Sequence, residues 1–159
     1  MKKFQLICAV EEYTTSDELP DNDKYLIKMA TEALDTAYAP YSQFQVGAAL
    51  QLEDGTIVTG SNQENAAYPS GLCAERVAFF SAASQHPGKT ISAVAITTSF
   101  SLQNPIAPCG ACRQVMAEYE LKQNKPIKII LAHPGEKVYV INSVRELLPL
   151  YFSGEWLKK

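Results

Sequence analysis

Apolar positions change their spacing several times along the chain, and each change marks an element. Residues 4–13 hold Leu6, Ile7, Cys8, Ala9 and Val10 in a short apolar run that reads as a strand. A polar link at 14–17 follows, and then Pro20 and Asp21 open a helix predicted to reach about Ala37. Its apolar residues Leu26, Met29, Ala30, Ala33, Leu34 and Ala37 recur at helical spacing, and Pro40 stops it. Residues 44–52 and 56–59 flank Glu53-Asp54-Gly55, the signature of a β-hairpin turn. Residues 60–72 read as a loop. The stretch 73–84 is nearly all apolar or small (Ala74, Val77, Ala78, Phe79, Phe80, Ala82, Ala83), the pattern of a helix buried on every side.

Strands are expected at 91–97, 127–132 and 138–141. Pro108 suits the first turn of a helix reaching about Leu121. Ser143-Val144-Arg145-Glu146 has capping-box spacing and opens a short last helix, stopped near Pro149. Strands alternate with helices after an initial hairpin, which predicts an α/β fold: a mixed β-sheet sandwiched between helices.

At 159 residues the chain fits one domain, 1–159. A net charge of −3, with Lys and Arg dispersed, argues against polymeric nucleic acid as a partner, which calls for clustered basic residues. No stretch is apolar enough for a membrane span, and Glu11 and Glu12 spoil any signal-peptide profile, so a cytoplasmic location is expected. In a reducing compartment the four cysteines, Cys8, Cys73, Cys109 and Cys112, call for a metal or catalytic account.

Cys109 and Cys112 stand three apart at a predicted helix start, so both sulfurs can meet one ion. Cys73, at the entry of the other apolar helix, is the third candidate ligand. Three thiolates on zinc leave a fourth position for water, the arrangement of a catalytic site. Glu75 lies two positions after Cys73. The pair can serve one site only if Cys73 lies in the first turn of its helix, with the metal over the helix end, because i and i+2 point about 200° apart further in. Arg76 and Arg113 are placed to donate hydrogen bonds to sulfur. His86 and His133 each precede Pro-Gly and are assigned to turns. Cys8, in its apolar run, is expected to be buried and inert. A redox CxxC would leave Cys73 and Glu75 without a role, and a structural four-cysteine site would need Cys8.

At these residues the sequence resembles the cytidine deaminase family, in its three-cysteine homotetrameric type. Cys73-Ala74-Glu75-Arg76 and Pro108-Cys109-Gly110-Ala111-Cys112-Arg113-Gln114 are similar to its two zinc motifs in order and separation, and the likeness runs from about residue 38 to 152. It implies the family's three-layer architecture and one Zn²⁺ per subunit on Cys73, Cys109 and Cys112. It also implies hydrolytic deamination of cytidine and deoxycytidine in pyrimidine salvage: hydroxide formed at zinc attacks C4 while Glu75 shuttles protons.

Asn62-Gln63-Glu64-Asn65-Ala66-Ala67-Tyr68 is similar to the family's nucleoside segment, which implies that Asn62 and Glu64 bind the ribose, chiefly its 3′-hydroxyl. The run from Pro40 to Ala49 matches as well and implies that Phe44 lines the base pocket, with Ala74 and Pro108 offering backbone groups. Leu147-Leu148-Pro149 and Phe152 resemble the C-terminal segment, in which an aromatic reaches a neighbouring subunit's pocket, although Leu150 and Tyr151 replace the usual small residues. Residues 1–19 extend beyond the family core, and an added edge strand is expected there. The rivals are a deaminase for a modified cytosine nucleoside, a non-catalytic zinc protein and a nucleic-acid editor.

Overall fold

The computed structural model describes residues 1–133 and 136–157. Among these residues six strands form one sheet: β1 (Glu11–Tyr13), β2 (Val46–Leu52), β3 (Ile57–Ser61), β4 (Ile91–Thr98), β5 (Lys128–Ala132) and β6 (Val138–Ile141), in the order β1-β6-β5-β4-β2-β3. Only β4 and β5 run parallel, and α3 (Gly110–Gln123) makes the crossover that a parallel pair requires. The other pairings are antiparallel, so the mixed sheet expected from the sequence is what forms.

Alternation along the strands fills two cores. Leu50, Val94, Ile96, Ile129 and Leu131 face α2 (Ala74–Gln85) and α3, where Phe79 and Met116 meet them. Ala49, Ala93, Ala95, Ile130 and Val140 face the opposite side, under α1 (Asp21–Glu32) with Leu26, Ile27 and Ala30. Small residues on that second face let α1 lie close. A Cβ on Gly47 would fall 2.0 Å from the Ala30 carbonyl oxygen. Gly60 does the same for α2: a Cβ there would sit 2.5 Å from Ala78 N and 2.7 Å from Ala74 O. The start of α2 is thus seated on β3 by the absence of a side chain.

Several expectations change. The predicted first helix ends at Glu32 and tightens into a 3₁₀ turn, Ala33–Thr36. Pro108 precedes α3, whose N-cap is Cys109. α2 is not buried on every side, since Phe80 is 43 % exposed. Ser143 caps α4 (Val144–Leu147) by accepting from Arg145 N, but Glu146 accepts from Ala9 N at 2.7 Å, so the capping box closes on one side only. The first strand shrinks to β1, and residues 1–10 are exposed throughout. Cys8 is therefore exposed, not buried. β1 is an edge strand paired to β6 alone, and among the described residues nothing covers the apolar run before it. The Pro-Gly that follows His133 lies outside the described residues. Among the described residues no helix is long and apolar enough to cross a membrane.

Candidate active site

β3 and β4 run in the same direction, and α2 and α3 both begin beyond their carboxyl ends. The two helix N-termini therefore converge, and with them the cysteines. Cys73 is the N-cap of α2, with extended backbone at φ −73° and ψ 154°, and Cys109 caps α3 at φ −66° and ψ 164°. Because Cys73 stands outside the helix proper, it and Glu75 line the same cavity in spite of their i, i+2 spacing.

The Cys73 and Cys109 sulfurs are 3.9 Å apart, Cys109 and Cys112 are 3.5 Å apart, and all three lie within 4.8 Å of one another. Ligands of a tetrahedral zinc with Zn–S near 2.3 Å should be separated by about 3.8 Å. The donor set fits such an ion in number, softness and spacing. The Cys73 thiol is pushed down to about 5 by the hydrogen bond from Cys112, then by those from Arg76 and Cys109, against its own burial. Cys112, the donor in that bond and itself buried, is pushed up. The Arg76 Nη2 donates to Cys73 Sγ at 3.7 Å.

Glu75 is 5 % exposed, and burial raises its carboxyl, with the charge on Cys73 adding to the effect. It lines a cavity of about 770 Å³. Cys73, Cys109 and Arg76 form one end with it; Phe44, Val46, Ile96 and Ile106 give an apolar wall; Asn62, Glu64, Tyr41, Ser42 and Tyr68 line it as well. Such a mixture, apolar walls with a few convergent polar groups, suits a small polar-edged ring.

The polar residues are braced. Asn62 Oδ1 accepts from Val46 N at 2.8 Å, and its Nδ2 donates to Phe44 O at 2.8 Å. Glu64 Oε2 accepts from Tyr41 N at 2.9 Å and Ser42 N at 3.2 Å. Hydrogen bonding from Ser42 and from Tyr41 N–H holds the Glu64 carboxyl below its ordinary range.

Residues 20–125 match the family described as the cytidine and deoxycytidylate deaminase zinc-binding region. A cytidine deaminase of Sporosarcina psychrophila is 51 % identical over 132 residues, covering 82 % of this chain and 90 % of that protein. One from Halalkalibacterium halodurans is 44 % identical over 138 residues, 82 % and 93 % of the two chains. The crystal structure of cytidine deaminase from Burkholderia pseudomallei superposes with a TM-score of 0.71 at 44 % identity, over 81 % of this chain and 98 % of that one. This chain belongs to the cytidine deaminase family.

Set against the deaminase motifs, one expected contact is absent. Arg113 donates to no sulfur: its Nε binds Pro108 O and its Nη1 binds Leu147 O, both at 2.8 Å. Pointing back along α3, its guanidinium meets carbonyls first and ties the segment before Cys109 to the end of α4. Ala74 and Pro108 are buried and are not among the residues lining the cavity. Phe152 is 58 % exposed, its carbonyl accepting from Gln114 Nε2 at 2.8 Å and its ring edge-on to Trp156. Sequence reasoning missed the Tyr41 and Ser42 amides that grip Glu64. Backbone donors leave no mark in residue identity.

Proposed function

We propose that the protein hydrolytically deaminates free cytidine and deoxycytidine to uridine and deoxyuridine, with one zinc ion held by Cys73, Cys109 and Cys112. One observation carries this reading: three sulfurs at zinc spacing beside a buried carboxylate in a cavity with room for a nucleoside. When bound, zinc supplies the Lewis acidity that makes water a nucleophile near neutral pH. Glu75 then handles the protons. It receives one from the water adding at C4 and passes it to N3. A second goes to the 4-amino nitrogen, which leaves as ammonia. Burial raises the carboxyl above its ordinary range, which favours its holding a proton taken from water and handing it on.

Phe44 stacks on the base, and Asn62 and Glu64 hold the sugar through its 3′-hydroxyl. With Oε2 committed to Tyr41 and Ser42, Glu64 offers Oε1 as the acceptor. An ionised carboxylate there disfavours phosphorylated substrates by charge repulsion. Arg76 steadies the Cys73 thiolate. On this reading the chain is a single domain acting in pyrimidine salvage in the cytoplasm, as a homotetramer. The exposed Leu150, Phe152 and Trp156 support that assembly, with Phe152 directed to a neighbour's pocket.

Metal analysis together with an absorbance assay for cytidine loss tests the reading directly. Glu75→Gln should lower kcat by on the order of 10²–10⁴-fold with zinc content and Tm unchanged. Near-wild-type turnover would reject Glu75 as the proton carrier. Turnover of dCMP with none of cytidine would reject the substrate.

A further inference from the structure

We infer that Phe100 is a positioning residue for the nucleobase: it backs the Phe44 ring and fixes the plane that the substrate meets. The inference rests on the function proposed above and adds to it a residue outside the zinc and nucleoside motifs.

The Phe44 and Phe100 rings stack with centroids 5.2 Å apart and planes 7° from parallel. Phe44 lines the cavity and Phe100 does not, so Phe100 covers the ring from behind. The Phe44 backbone is well held. Its N–H donates to Ser42 Oγ at 3.0 Å, and its carbonyl accepts from Asn62 Nδ2 at 2.8 Å. Those bonds place the Cα but leave the side-chain torsions free among staggered wells. The stacked neighbour selects one of them.

Phe100 is itself tied to the same strand entry. Ser99 N and Thr98 Oγ1 both donate to the carbonyl of Gln45, the residue after Phe44, at 3.2 and 2.9 Å. Phe100 N donates in turn to Thr98 Oγ1 at 3.4 Å. Further along the loop, Ser101 donates to Glu136, and Tyr139 Oη donates to Asn104 Oδ1 at 3.0 Å. The loop between β4 and α3 is thereby anchored on both sides of the ring. Phe100 is 45 % exposed, so truncating it removes a stacking partner without opening a core cavity.

Steady-state kinetics on cytidine with wild type, Phe100→Ala, Phe100→Leu and Phe100→Tyr test this. For Phe100→Ala, KM should rise about three- to tenfold, the range an aromatic pair is worth, with kcat within about twofold. Inhibition by the product uridine should weaken by the same factor, and Tm should hold. Phe100→Leu keeps apolar bulk without a π face and should fall between, while Phe100→Tyr should restore wild-type KM. An unchanged KM in Phe100→Ala, a loss confined to kcat, or no rescue by tyrosine would overturn the inference. If wild type releases no ammonia from cytidine, the proposed function falls and takes this inference with it. If wild type is active and Phe100→Ala matches it, the inference alone falls.

Discussion

α2 and α3 each begin at a cysteine in extended conformation, yet the surroundings of the two starts differ. At α2, Ala74 is fully buried, Glu75 nearly so, and the helix backbone rests on β3 at Gly60 with no room for a methyl group. At α3, Cys109 and Gly110 are exposed, and a Cβ on Gly110 would meet nothing within 4 Å. What holds that second start is a side chain, Arg113, reaching back to Pro108 and across to Leu147. One start is fixed by close backbone packing, the other by hydrogen bonds at a solvent-facing end. The difference suits their proposed tasks. A proton-carrying carboxylate needs a dry, immobile seat, whereas a metal ligand is also located by its bond to the ion.

The same small change made on both sides tests this contrast. Gly60→Ala should have the largest effect. A methyl at that point meets main-chain atoms of Ala74 and Ala78, so α2 must shift, costing about 1–3 kcal/mol or more. Thermal unfolding should register a drop of roughly 2–4 °C per kcal/mol, and kcat should fall with it as Glu75 moves. Arg113→Ala should act at intermediate size, leaving the Pro108 and Leu147 carbonyls without their donor. Zinc loss to a chelator should become faster by on the order of tenfold, the lower range for removing a support behind a metal ligand. Gly110→Ala should do least. With open space around the position, Tm should stay level or rise slightly, since alanine lowers the entropy of the unfolded chain by about 0.4–1 kcal/mol. Equal losses from Gly60→Ala and Gly110→Ala would erase the distinction between the two starts.

Much of this was legible in the sequence because it follows from periodicity. Apart from the first strand, the strands and helices lie within a few residues of where spacing places them, and the layers follow from alternation along β4 and β5. Cys73, Cys109, Cys112 and Glu75 announced themselves by chemical type, and the i, i+2 argument placed Cys73 in the first turn, close to the N-cap position it occupies. What escaped was decided by competition among partners. Arg113 chose carbonyls over sulfur, and Glu146 chose Ala9 N over its own helix cap. Residues 4–10 have the composition of a strand, but pairing depends on a neighbour that no local pattern records. Phe100 sits in a segment without periodicity, and its stacking on Phe44 joins residues 56 positions apart by number.

Asn62 and Glu64 are braced by one short stretch of chain. Both side chains are bound to the backbone of residues 41–46, the segment that presents Phe44. On the proposed function, recognition of the sugar and recognition of the ring share one mechanical linkage. Any substitution that retunes position 62 or 64 for a different pentose or for a phosphate also loosens the aromatic platform. The two selectivities cannot drift separately, which ties this fold's evolvability toward nucleotides to compensating change in the 41–46 turn.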